Sequence, residues 1–233
     1  MCCCSLKVSG VIEQSILCYG DSNTWGYVPL SAARLESAER WPTLLQSNLG
    51  IGYHVIAEGL NGRTTAWDEP FRPGRNGREL LLPILESHAP LSLLIIMLGT
   101  NDLKHHLNVS AHESGRGLAS LIKIAQQSDC GMDGSPPKVL VLVPPSFGDC
   151  SELMGHHFEG GQEKSRDLPR FYQEVCTVLG CHCFDTNALV SVGADGIHLD
   201  ADHHRILAEA LAPLVRQLIE RLSPSEVLPA EES

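Results

Sequence analysis

Five short runs rich in Ile, Val and Leu, separated by longer segments of helical period, constrain the fold of this chain more than any other feature. The runs are Ser15–Tyr19, His54–Ala57, Leu91–Leu98, Lys138–Val143 and His182–Phe184. Their apolarity is continuous rather than alternating, which predicts strands buried on both faces, as in a parallel sheet covered by helices. Between them, Glu39–Leu49 carries Trp41, Leu44, Leu45 and Leu49 at spacings that share one helical face. Leu80–Ser87 predicts a second helix, ending before Pro90, and His112–Gln127 a third, with Leu118, Leu121, Ile122 and Ala125 on one stripe. Ser165–Leu179 and Asp200–Leu222 complete the set; in the last, Ile206, Leu207, Ala210, Leu211, Leu214 and Leu218 face inward. Strand alternating with crossover helix predicts an α/β fold, a three-layer α/β/α sandwich around a five-stranded parallel sheet.

The 233 residues suffice for one compact domain, expected over residues 15–222, with loose tails at 1–14 and 223–233. Three Gly/Pro-rich stretches, Ala66–Gly77, Ser128–Pro137 and Pro144–Gly161, are longer than plain connections need and are expected to build a mouth over the sheet. With 17 Lys and Arg against 28 Asp and Glu, the net charge is −11. That argues against nucleic acid as a partner, because affinity for a phosphate backbone comes from basic patches, and anionic membranes would repel the chain. The longest apolar stretch, PLSLLIIMLGT, falls short of the roughly 20 residues of a spanning helix. Nine cysteines and an N-terminus, MCCCSLKVSGVIEQS, with no apolar signal run predict reduced thiols and a cytoplasmic location. Cys2, Cys3 and Cys4 read as part of the tail rather than as palmitoylation sites.

The first run leads directly into Gly20-Asp21-Ser22-Asn23-Thr24-Trp25-Gly26. A serine just past a parallel strand lies in the crevice where open α/β sheets bind ligands, which suits a nucleophile. Its hydroxyl needs a base to take its proton. Asp195-Gly196-Ile197-His198 offers one: Asp195 can accept the Nδ1 proton of His198 and leave Nε2 facing Ser22. A tetrahedral intermediate also needs donors for its oxyanion. The third run ends in Gly99-Thr100-Asn101-Asp102, and the second in Glu58-Gly59-Leu60-Asn61-Gly62-Arg63-Thr64-Thr65. Asn101 Nδ2 and a backbone N–H at a glycine would meet the serine on one rim.

Taken together, GDSNTWG, EGLNGRTT, GTND and DGIHLD resemble the four blocks of the SGNH hydrolases, the GDSL esterase/lipase family. The likeness runs from about Ser15 to Leu222 and is strongest to the bacterial arylesterase and acyltransferase subgroup, through GDSNTWGYVP, PLSLLIIMLGTND, PKVLVLVPP and FEGGQEKS. It implies a flavodoxin-like SGNH hydrolase fold, hydrolysis of short-chain esters, acyl transfer in some members, and assembly into homo-oligomers. Position by position, it implies Ser22 as nucleophile, His198 as base, Asp195 as its orienter, and an oxyanion hole of Ser22 N–H, Gly62 N–H and the Asn101 side chain. Gly59 is the alternative to Gly62. Asn23 departs from the family leucine, a change expected to affect local packing rather than chemistry.

Other residues divide between chemistry and scaffold. Asp21 and Asp102 are expected to brace their turns through hydrogen bonds rather than to act as acids. Trp25, Tyr27 and Phe158 are candidates for lining the substrate pocket, with core packing as the other reading. Cys181-His182-Cys183 and the histidine pairs lack the spacing of a metal site, so no metal or cofactor is expected. The predicted activity is that of a serine esterase acting on acetyl to butyryl esters of aryl, alkyl or sugar alcohols through an acyl-serine. The alternatives are a thioesterase or lysophospholipase of the same fold, and a flavodoxin-like module that cradles a phosphate at Ser22 and Thr24 without catalysis.

Overall fold

A computed structural model of the chain describes residues 13–220. Its five strands are β1 (Gln14–Gly20), β2 (Tyr53–Gly59), β3 (Leu93–Met97), β4 (Lys138–Val143) and β5 (His182–Asp185). They form one sheet in the order β2-β1-β3-β4-β5, every neighbouring pair parallel. The helices are α1 (Ser22–Trp25), α2 (Trp41–Leu49), α3 (Gly77–His88), α4 (Ala111–Gln126), α5 (Glu152–His157), α6 (Gly161–Leu179) and α7 (Ala201–Glu220).

Two apolar clusters give the three layers. On one face Leu17, Tyr19, Leu94, Ile96 and Val141 pack against α3, α4 and α6 through Leu81, Leu121 and Leu168. On the other, Ile16, Cys18, Ile95 and Leu142 pack against α2 and α7 through Trp41, Leu45, Leu207 and Leu211. Successive strand residues thus feed opposite cores, which is why the central strands have no polar face. The edge strands differ: His54 in β2 and His182 in β5 are exposed, because each edge has a neighbour on one side only.

The third run is shorter than its apolarity predicts. Leu91 makes only an isolated bridge to Gly131, and Leu98 already belongs to the turn after β3. Two short helices, α1 and α5, were not foreseen, and α6 begins at Gly161 rather than Ser165. Gln14, expected in a tail, opens β1 opposite Tyr53. Glu13 precedes it as an exposed residue outside the strand; residues 1–12, with Cys2, Cys3 and Cys4, and the expected tail at 223–233 lie outside the described residues, as does Leu222 at the expected end of the domain. No helix among the described residues is long and apolar enough to cross a membrane.

The strand order decides where a site can form. From β1 the chain crosses to β2 on one side, and from β3 onward it builds the sheet on the other. The crevice lies at the carboxyl ends of β1 and β3, where these two directions part. Ser22 follows β1 there and Asn101 follows β3.

Candidate active site

Gly20 ends β1, and α1 starts two residues later at Ser22. Asp21 makes this turn: its Oδ1 accepts the Asn23 N–H at 2.9 Å, and its carbonyl accepts Trp25 N–H at 2.9 Å. At the other end of the chain, Asp195 folds the loop that carries His198. Asp195 Oδ1 accepts the N–H groups of Ile197 and His198, both at 2.9 Å, while Oδ2 lies 2.6 Å from His198 Nδ1. His198 Nε2 lies 2.9 Å from Ser22 Oγ, across 176 residues of sequence. Asp195 is buried, which favours its neutral form, but the His198 ring and the two backbone N–H groups outweigh burial and hold its pKa below the ordinary value. The carboxylate therefore stays ionised beside the imidazole, fixing the proton on Nδ1 and leaving Nε2 to accept from the serine. Tyr27 covers the imidazole, its ring centroid 4.2 Å away with planes 29° apart.

Asn23, expected to matter only for packing, ties the two halves together. Its Oδ1 accepts the Leu199 N–H at 2.9 Å, and its Nδ2 donates to the Ile197 carbonyl at 3.4 Å. The side chain after Ser22 thereby holds both residues that flank His198. A polar residue at an otherwise apolar position was the sequence signal, and its partners became visible only in three dimensions.

Asn101 reaches the same rim from the turn Thr100–Leu103. Its Nδ2 donates to the Arg63 carbonyl at 3.2 Å and to Asp21 Oδ2 at 3.3 Å. Both amide hydrogens are engaged, so donating to a developing oxyanion means exchanging one of these two long bonds. The N–H groups of Ser22 and Gly62 have no acceptor among the described residues. Gly62 has φ +85°, where glycine is favoured, and borders the cleft beside Ser22. Gly59 is needed for a different reason: a Cβ there would lie 2.3 Å from the backbone nitrogen of Trp25, so β2 and α1 could not approach.

Two buried carboxylates stand behind these donors. Burial pushes the Asp21 carboxyl up to about 6, against the opposing pull of the Asn23 N–H. Asp102 is likewise pushed up to about 6 by burial, although it accepts from Thr65 N–H at 2.8 Å, Thr65 Oγ1 at 2.6 Å and Ser114 Oγ at 2.7 Å. Asp102 binds the loop after β2 to the start of α4, and Asp21 joins the Ser22 turn to Asn101.

The cleft over Ser22 measures about 280 Å³. Tyr27 and Phe158 both line it; Phe158 is also packed edge-on against Phe147 at 5.1 Å, so it serves core and cleft together. Trp25 does not line the cleft. Its ring lies under the Arg34 guanidinium at 4.6 Å. Leu153 and Met154 of α5 were missed as lining residues, since a six-residue helix inside a Gly/Pro-rich stretch gives little periodic signal. Cys181 and Cys183 pack toward Cys176 while His182 is exposed, and no three His, Cys, Asp or Glu side chains among the described residues converge as metal ligands.

The GDSL-like lipase/acylhydrolase family model matches residues 18–206. No match was found among curated protein sequences. Among solved structures, the inhibitor-bound aryl esterase of M. smegmatis is 37% identical with a TM-score of 0.85, covering 88% of this chain and 99% of that one. Est24, a carbohydrate acetylesterase from Sinorhizobium meliloti, is 36% identical with a TM-score of 0.84, covering 88% of this chain and 100% of that one. A member of the lipolytic G-D-S-L family from Veillonella parvula, at 15% identity and a TM-score of 0.62 over 87% of this chain and 99% of that one, shows the fold alone. The chain belongs to the GDSL-like lipase/acylhydrolase family, the SGNH hydrolases, and is by class a carboxylic ester hydrolase.

Proposed function

We propose that the chain is a serine esterase with one catalytic domain over residues 15–222, cleaving acetyl to butyryl esters of aryl, alkyl or sugar alcohols through an acyl-serine. The observation that carries this reading is the unbroken chain of hydrogen bonds from Ser22 Oγ through His198 to Asp195, opening on a cleft. Ser22 Oγ bonds to the ester carbonyl carbon as its proton passes to His198 Nε2. The Ser22 and Gly62 N–H groups and Asn101 Nδ2 hold the resulting oxyanion. His198 returns the proton to the alkoxy oxygen as the carbon–oxygen bond breaks, leaving an acylated Ser22 and a free alcohol. Water, with His198 again as base, resolves the acyl-serine. Nucleophile, base and donors all come from the chain, so the step needs no cofactor or metal.

A small cleft and the names of two relatives, an aryl esterase and a carbohydrate acetylesterase, support short acyl groups. Acyl transfer to an alcohol, a homo-oligomeric assembly and a cytoplasmic location follow the subgroup and the sequence and belong to the same proposal. The test is a panel of 4-nitrophenyl esters from acetate to decanoate beside the matching thioesters. The expected result is a maximum at two to four carbons with oxygen esters faster, and loss of turnover in Ser22→Ala with the fold kept. Full activity in Ser22→Ala overturns the mechanism, and faster thioester cleavage replaces the substrate class with that of a thioesterase.

A further inference from the structure

Cationic side chains gather around Gly62: Arg72, Arg75 and Lys104, the last paired with Glu69. Arg63 precedes the Thr64-Thr65 turn, and the loop between Ala66 and Gly77 brings Arg72 and Arg75 to the same place. A Cβ on Gly62 would lie 3.4 Å from Arg72 Nη1 and 3.9 Å from Arg75 Cδ. Among the described residues, no ion pair involves Arg63, Arg72 or Arg75. Arg63 is buried, donates to the Gly20 and Glu58 carbonyls and stands over the Tyr19 ring at 4.0 Å. Arg75 donates to the Asn61 and Pro73 carbonyls. Arg72 is exposed at the cleft mouth, and its guanidinium has no hydrogen-bond partner among the described residues.

The acidic residues of that loop are engaged elsewhere. Glu69 Oε2 takes Lys104 Nζ at 2.7 Å, and Oε1 takes His106 Nε2 at 3.0 Å and the Phe71 N–H at 3.3 Å. Asp68 accepts from Asn76 Nδ2 at 3.0 Å. No Asp or Glu lines the cleft at all. In a chain of net charge −11, a catalytic cleft bordered only by cations and neutral groups stands apart from the rest of the surface.

We propose that Arg72 is a specificity-determining residue that receives a carboxylate on the ester substrate, so that anionic esters are preferred to neutral ones of the same shape. The proposal rests on the esterase reading above and narrows its substrate class. A guanidinium offers the planar donor fork that matches a carboxylate, and Arg75 behind it adds to the field. Because the pair is made away from the reacting carbon, it is expected in KM more than in kcat.

Two matched probe pairs test it: 4-acetoxybenzoate against 4-acetoxybenzamide places the charge on the alcohol side, and 4-nitrophenyl hydrogen succinate against 4-nitrophenyl butyrate places it on the acyl side. The expected result is an anionic-to-neutral ratio of kcat/KM above one in at least one pair, falling about tenfold in Arg72→Gln and only partly kept in Arg72→Lys, which retains the charge but not the planar fork. The preferred pair tells which side of the ester bears the charge. Added salt should reduce the ratio in the wild-type enzyme. A neutral preference in both pairs, or a ratio unchanged by Arg72→Gln, overturns this proposal and leaves the esterase reading standing. No turnover of any of the four esters overturns both.

Discussion

Replacing Asp195 by asparagine exchanges one oxygen for an amide nitrogen, and the geometry decides which one. Oδ1 accepts two backbone N–H groups at 2.9 Å, so the amide oxygen must take that side; the reverse would face an NH2 toward two donors. The new NH2 then points at His198 Nδ1 in place of an acceptor at 2.6 Å. His198 can satisfy it only by moving its own proton to Nε2, where it points at Ser22 Oγ and the base is lost. Keeping the productive tautomer sets two buried donors against each other, at about 1–3 kcal/mol. The imidazolium formed on attack also loses its buried partner, at about 3–5 kcal/mol. These costs overlap in part and sum to roughly 4–6 kcal/mol, or about 10³- to 10⁴-fold in kcat. The assay is 4-nitrophenyl acetate hydrolysis at neutral pH, with circular dichroism to show that the loop and fold survive. A loss under tenfold in a folded variant would refute the orienting role of Asp195.

Asn101→Ala should lower kcat roughly a hundredfold with KM nearly unchanged, because its donor acts on charge that develops only in the transition state; equal losses in kcat and substrate binding would contradict that. Gly62→Ala and Gly59→Ala separate two kinds of glycine. The first should fold and lose turnover, as a side chain at φ +85° disturbs the N–H at the cleft, whereas the second should lose stability in urea because its Cβ meets the Trp25 backbone at 2.3 Å; the opposite pattern would exchange their roles. Asp102→Asn tests the buried carboxylate through pH. Burial raises the folded pKa to about 6 from 3.8, so the folded state holds a proton that the unfolded chain releases between these values. The contribution of Asp102 is fully present below about pH 4 and is lost as pH rises through about 6, a change of roughly 3 kcal/mol. The amide does not titrate, and the Thr65 and Ser114 hydroxyls can turn to accept from it. Urea unfolding should therefore show the variant gaining on the wild type by up to about that amount between pH 4 and pH 7, and a constant difference would count against it.

How much the sequence disclosed depended on whether a signal was local. β4 ends where its apolar run ends, and β1 differs by one residue at each end, because central strands are buried on both faces and have no polar register to blur them. The third run misled because Leu91 and Leu98 are fully buried without being in the sheet, so burial alone overstated the strand. The Asp195–His198 pair was legible because a single three-residue spacing makes both the turn and the side-chain bond. Asn23 and Trp25 were not. The first bonds to a loop 174 to 176 residues away, and the second turns under Arg34, nine residues on, rather than into the cleft. The same limit hid the arginines around Gly62. Each reads as an ordinary solvated charge until the fold shows that the nearby carboxylates have other partners.

Labelling with a fluorophosphonate probe bears most directly on the central claim, because the probe reacts with a serine only where a base and an oxyanion site meet it. The account predicts one phosphonylated residue, Ser22, found by peptide mass spectrometry in the folded wild-type protein, no label in Ser22→Ala, and strongly slowed labelling in His198→Ala. Modification elsewhere, or equal labelling rates in wild type and His198→Ala, would contradict it.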